Sequence, residues 1–152
     1  MVDFFKGLFG SKKAQPEQTA AYEPSIVAGV LVAAAQVDNH YPQAEKTLID
    51  RALALEFRLP PDAAAALRNR AEHATSSMGD AQDFRKMGRQ FSPDNKIALI
   101  EALWRAVLVD HEKDYWENAF MRRTAKFLEV SDGDSKRALK RVERVMRRGK
   151  KR

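Results

Sequence analysis

No cysteine occurs anywhere in the 152 residues, which removes disulfides, thiolate nucleophiles and sulfur-ligated metals from consideration. No apolar run is long enough to span a bilayer: the longest, IVAGVLVAAA at Ile26–Ala35, has about half the residues a membrane helix needs. A secretory signal is lacking too. The opening MVDFFKGLFGSKK carries an acid at position 3, only a handful of apolar residues and no small-residue cleavage site, so a cytoplasmic protein is the expectation. The sequence also lacks a glycine-rich phosphate loop, a nucleophile elbow and a histidine-rich zinc motif. His73, in RAEHATSS, has no chemical partner nearby and reads as an exposed helix residue. These absences argue against an enzyme and against a small-molecule substrate.

What is present is an ordinary globular composition, 44% hydrophobic and 32% charged, at a length that suits one domain with a real core. The net charge of +6 hides an asymmetry. Lys136–Arg152 holds ten basic residues and one acid, Glu143, leaving 17 basic and 20 acidic residues before it. A mildly acidic body therefore carries a strongly basic tail.

Every long segment has helical spacing, and no segment alternates long enough for a sheet. Ile26, Val30, Ala34 and Val37 share one face, as do Leu48, Ala52, Leu55 and Leu59. PPDAAAALRNRAEHA opens with proline at a helix start, and GDAQDFRKMGRQF makes a short helix with Asp80 as its candidate N-cap. Ser92 and Pro93 start the next one. Trp116, Phe120, Thr124 and Phe127 form an inward stripe, and Ser131 and Asp134 begin a last helix that runs into the basic tail. The expected fold is an all-α bundle of about seven to eight helices. The expected organisation is an apolar segment at 1–10, a flexible polar linker at 11–24, a helical domain at 25–135 and a basic helix and tail at 136–152.

The chain repeats itself at an offset of 72 residues. QVDNHYPQAE at 36–45 returns as LVDHEKDYWE at 108–117, so Asp38 and Glu45 correspond to Asp110 and Glu117. Leu31 meets Leu103, Ala34 meets Ala106, Val37 meets Val109, Arg51 meets Arg123 and Asp62 meets Asp134. The repeating unit is a helix, an acidic turn and a helix.

EALWRAVLVDHEKDYWENAFMRRTAKFLEVSDGD and the matching AGVLVAAAQVDNHYPQAEKTLIDRAL resemble the two halves of the TerB-like domain, the family of tellurite-resistance protein B. The resemblance covers roughly Ser25–Arg144. In that family's pattern an alanine-rich helix ends in Asp-Gly, and a glutamate follows on the next helix. Here Asn39 and His111 replace the two glycines, residues that tolerate a left-handed backbone better than most. The resemblance implies that the acids form a metal-binding or interaction surface in a stress-response module.

From the residues alone the acids have two readings. Asp114 and Glu117 have the spacing of a capping box, and Glu45 after Pro42 suits a helix N-terminus, so the acids fix helix corners on the first reading. Asp38 and Asp110 fit it less well, because each follows a helix C-terminus, where negative charge is disfavoured and a partner is required. That partner is either free N–H groups of the next helix or a cation. On the second reading Asp38, Glu45, Asp110 and Glu117, with Glu112, Asp114 and His111 as lesser candidates, bind a divalent cation (Ca, Mg, Mn or Zn) or a protein partner.

The tail offers an alternative function. Lys136, Arg137, Lys140, Arg141, Arg144, Arg147, Arg148, Lys150, Lys151 and Arg152 are either a solvated tail or a grip on an anionic membrane at its inner face. Nucleic acid is the weaker partner, because no aromatic residue is interleaved for base stacking. Val2, Phe4, Phe5, Leu8 and Phe9 either dock on the bundle or add a second, apolar membrane signal.

Overall fold

The computed structural model describes residues 21–109 and 115–150, apart from the side chains of 115–118 and Lys150. Seven helices lie among the described residues: α1 Pro24–Ala35, α2 Gln43–Phe57, α3 Pro61–Ala74, α4 Met78–Arg89, α5 Pro93–Leu108, α6 Tyr115–Phe127 and α7 Asp132–Lys150. The starts are those that proline and serine dictate. Pro24, Pro61 and Pro93 occupy first-turn positions, where a missing N–H costs nothing. The Ser92 hydroxyl accepts from the N–H of Asn95, and that of Ser131 accepts from Asp134. α4 is capped by Ser77, which accepts from the N–H of Asp80, so Asp80 lies inside the first turn and is not the cap.

The repeat is real and extends to three helices, with α1–α2–α3 answered by α5–α6–α7 and α4 between them. The first helix of each unit packs on the second helix of the other, α1 on α6 and α5 on α2. α2 and α6 end alike. Arg58 and Glu129 take left-handed φ values of 54° and 60°, and the next N–H reaches back to Ala54 and Ala125. This is the Schellman closure, made here without glycine. Arg58 and Glu129 are 71 residues apart, one fewer than the offset upstream. The buried Ala64 and Ala71 of α3 accordingly answer Ser135 and Val142 of α7, and Asp62 does not superpose on Asp134.

α1 is the axis of the bundle. Its residues 26–35 are all buried, because α2, α3, α4 and α6 pack around it. Val37, expected to continue that face, lies past the helix end and is 52% exposed. In α2 the inward stripe is Leu48, Ile49, Ala52 and Leu53, whereas Leu55 is 40% exposed. Leu48 and Ala52 point inward as expected, and Ile49 and Leu53 complete the face in place of Leu55. In α6 Phe120, Thr124 and Phe127 are buried as expected; the side chain of Trp116 lies outside the described residues.

α4 lies on α1 through small residues. A Cβ on Gly29 would fall 2.1 Å from the Phe84 ring, and one on Gly88 would fall 2.9 Å from Val30. Gly29→Ala is expected to lower stability by about 1–2 kcal/mol despite the roughly 1 kcal/mol alanine gains in a helix interior. Urea unfolding checks this. α7 packs its Ala138 and Val142 face on α5, and Trp104 of α5 donates from Nε1 to the Ser135 carbonyl at 3.1 Å and its hydroxyl at 3.2 Å.

Candidate functional site: an acidic turn closed across the repeat

Asn39, in the turn between α1 and α2, adopts φ 61°, the left-handed conformation its side chain tolerates. That bend lets the preceding aspartate turn back on the chain. Asp38 Oδ1 accepts the backbone N–H of His40 at 3.1 Å. Its other oxygen, Oδ2, accepts from Arg123 Nη1 at 3.1 Å, and Glu45 Oε2 accepts from Arg123 Nη2 at 2.7 Å. One guanidinium from α6 thus bridges both acids of the first unit. Asp38 is thus met by an N–H of the turn, at His40 rather than in the next helix, and by a side-chain cation. The cation is the protein's own.

The two acids are held very differently. The Asp38 side chain is 49% exposed, whereas that of Glu45 is 4% exposed and that of Arg123 is 18% exposed. Glu45 is in the first turn of α2, but it does not close a capping box: Pro42 precedes the helix and offers no side-chain cap. Its carboxylate turns inward, towards Arg123. Glu45 Oε1 and Arg123 Nε are buried with no hydrogen-bond partner among the described residues. The Arg123 guanidinium lies 5.8 Å from the centre of the buried Phe120 ring, which limits where it can go.

Burial pushes the Glu45 carboxyl above the usual glutamate range; Arg123 opposes the rise and Asp38 adds to it. The folded state therefore holds a proton on Glu45 more readily than the unfolded chain. The resulting stability is full below the ordinary glutamate value of about 4.3 and is lost as pH rises through the folded value. Wild-type protein is expected to gain stability relative to Glu45→Gln as pH falls from neutrality towards the ordinary glutamate value, measured by urea midpoints along that range.

A second polar cluster joins α2 to α3. Arg68 donates to Asp50 at 2.6 Å and to Glu72 at 2.9 Å, and the Tyr41 hydroxyl donates to Glu72 at 2.7 Å. Burial and the Glu72 carboxylate push the Tyr41 phenol up, while Tyr41 and Arg68 hold the Glu72 carboxyl below its usual range in spite of burial. These four residues carry no obvious signal in the sequence. They fasten α3 to the unit that carries the turn.

Of the expected site residues, Asp38 and Glu45 meet on Arg123. Asp110, His111, Glu112 and Asp114 lie outside the described residues, as does the side chain of Glu117. Among the described residues no group of three or more His, Asp or Glu side chains is placed to hold a metal ion. Arg123 itself was legible only as the match of Arg51 in the repeat; Arg51 is half-buried and engaged in an interaction of its own. His73 is exposed on α3, with Nδ1 2.9 Å from the Asn69 carbonyl.

In the basic segment, α7 runs unbroken to Lys150. Lys136, Arg137, Lys140, Arg141, Arg144, Arg147 and Arg148 are not buried; Arg137 pairs with Asp134 and Arg141 with Glu101 at 2.8 Å. Lys151, Arg152 and the side chain of Lys150 are outside the described residues. No described helix is long and apolar enough to cross a membrane.

The model of one family, described as tellurite resistance protein TerB, matches residues 25–140, which span both units of the repeat. No curated protein and no solved structure matches the chain.

Proposed function

This chain belongs to the TerB family, and on that footing we propose that it is a non-enzymatic interaction and stress-response module whose acidic turn exchanges its own arginine for a divalent cation. The observation that supports this is the state of Glu45. A buried carboxylate has one oxygen on Arg123 and the other, Oε1, with no partner among the described residues. Asp38, half-exposed and 3.1 Å from the same guanidinium, supplies a second carboxylate that solvent can reach. Two such oxygens suit a hard cation, with water or a partner's carboxylate completing the shell. Exchange would free Arg123, so occupancy of the turn would alter the surface that a protein partner meets.

Calorimetric titration of Ca²⁺, Mg²⁺, Mn²⁺ and Zn²⁺ tests this reading. Saturable heat with one of these ions in the native protein, lost in Asp38→Asn, is the expected result. No heat at millimolar metal would reduce the turn to a helix corner.

A second reading has its own support. The outward side of α7 presents Lys136, Lys140, Arg144, Arg147 and Arg148, none of them in an ion pair among the described residues, with Val145 63% exposed between them. Each such cation contributes about 1 kcal/mol near an anionic leaflet. On this reading the protein is a peripheral binder of anionic membrane at the cytoplasmic face and the acids are structural; nucleic acid is the weaker candidate. Pelleting with anionic vesicles that falls steeply with salt, and on removal of the residues after Val145, is expected here. Pelleting unchanged by both would sink it.

A further inference from the structure

Beside the acidic turn a trough runs between the end of α1, α4 and α6 to the start of α7. It consists of two hollows of about 620 and 1050 Å³ that share Val37, Arg85 and Phe127. Two exposed apolar side chains lie on it. Val37 is 52% exposed and Met78 81% exposed, and both line the smaller hollow. Phe127 lies beneath, its ring covered by the Arg85 guanidinium at 5.4 Å. Single exposed apolar residues are normal on a protein surface; two of them converging on one hollow over an aromatic ring are less so.

The net charge of the trough is positive, with Arg85, Arg122, Arg123 and Lys126 lining it against Glu129 and Asp132. Arg85, Arg122 and Lys126 are exposed along it, and none forms an ion pair among the described residues. The acids at its far end are Glu129, which faces Arg89 at 3.8 Å, and Asp132. Arg123 also lines the trough, but its charge is committed to Asp38 and Glu45. Three unpaired cations around exposed Val37 and Met78 are complementary to a chain that carries acids and large apolar side chains together. A flat anionic membrane cannot enter a trough. Nucleic acid would need an exposed aromatic platform, and the Phe127 ring is already covered by Arg85.

We propose that this trough is the docking surface for an acidic, apolar-containing peptide segment of a partner protein, with Arg122 and Lys126 meeting its carboxylates and Val37 and Met78 its apolar side chains. The inference stands apart from the cation reading, because it uses neither Asp38 nor Glu45.

The test is fluorescence anisotropy of a short labelled peptide that alternates glutamate with leucine and phenylalanine, beside a control in which lysine replaces glutamate. The full-length chain is expected to bind the acidic peptide and not the control. Arg122→Glu with Lys126→Glu should weaken binding at least about tenfold, as two attractions at the rim become repulsions. Met78→Asp should weaken it as well. A full-length protein with Arg147, Arg148, Lys150 and Lys151 changed to glutamine should bind as the wild type does. All these positions are on the surface, and unchanged melting temperatures would show that each variant folds. Absence of binding to the wild type would overturn the proposal. So would binding that survives the double reversal and disappears with the tail substitutions, since the tail alone would then be collecting the peptide.

Discussion

Arg123→Ala is expected to cost about 3 kcal/mol of stability at pH 7. The loss does not come from the surface contact with Asp38, since exposed ion pairs contribute about 0–1 kcal/mol. It comes from Glu45, whose carboxylate is 4% exposed and would be left with no cation beside it. Removing one partner of a buried pair costs about 3–5 kcal/mol. Glu45 has one escape, which is to take up a proton. At pH 7 that costs a glutamate of ordinary pKa about 3.7 kcal/mol, which sets the ceiling; at pH 5 it costs about 1 kcal/mol. The damage should therefore shrink with acidity, a dependence that loss of packing would not show. Arg123→Met combined with Glu45→Met is expected to recover most of the stability, because a buried pair exchanged for apolar residues of similar volume is often neutral. Urea unfolding of the wild type and both variants at both pH values checks the set.

Trp104→Ala is expected to cost about 3–5 kcal/mol, out of a total that for a domain of this size is about 5–15 kcal/mol. The indole is 5% exposed and both fills the space between α5 and α7 and ties the two helices together through Ser135. Trp104→Phe separates the effects: most of the volume stays and the donor goes, so about 1–2 kcal/mol should be lost. The form of the transition is as informative as its midpoint. One cooperative transition with an unchanged urea slope would show that α7 folds with the bundle, presenting its basic face as a fixed surface. A separate early transition in Trp104→Ala would show a helix that detaches while the rest remains folded.

Much of the fold is legible in the sequence because its punctuation is local. Proline at 24, 61 and 93 and serine at 92 and 131 act within a turn of the helices they start, and the pattern of apolar residues reports the bundle. The misplacements have equally local causes. Leu55 shares the spacing of Leu48 and Ala52, yet adjacent faces of a helix differ by one residue and packing chose Ile49 and Leu53. Asp80 competes with Ser77 for the cap, and the hydroxyl wins three residues before the acid. The repeat slips from 72 to 71 residues where α6 closes its C-terminus one residue sooner than α2, a difference no apolar pattern records.

The site was legible only by halves. Asp38 and Glu45 stand out because they recur, and the helix dipole argues that Asp38 needs a partner. The identity of that partner is not local, since Arg123 lies 85 residues from Asp38 and 78 from Glu45. Only the packing of α1 on α6 brings them together. The coincidence of Arg51 with Arg123 was the available signal, as an arginine kept on the inner part of a helix in both units needs an acid to face. The trough left no trace in the sequence, because Val37, the α4 pair Met78 and Arg85, and Lys126 come from three separate segments.

The exchange of Arg123 for a divalent cation is tested most directly by the melting temperature of Arg123→Met as Ca²⁺, Mg²⁺, Mn²⁺ and Zn²⁺ are added in turn. With the guanidinium gone, Asp38 and Glu45 lose the cation that bridges them, and a cation that binds only the folded state must stabilise it. The account predicts a rise that saturates with one of these ions at a concentration lower than the native protein needs, and no rise in Arg123→Met combined with Asp38→Asn. A melting temperature of Arg123→Met that no ion moves would contradict it, and would leave the acidic turn as a clasp for arginine alone.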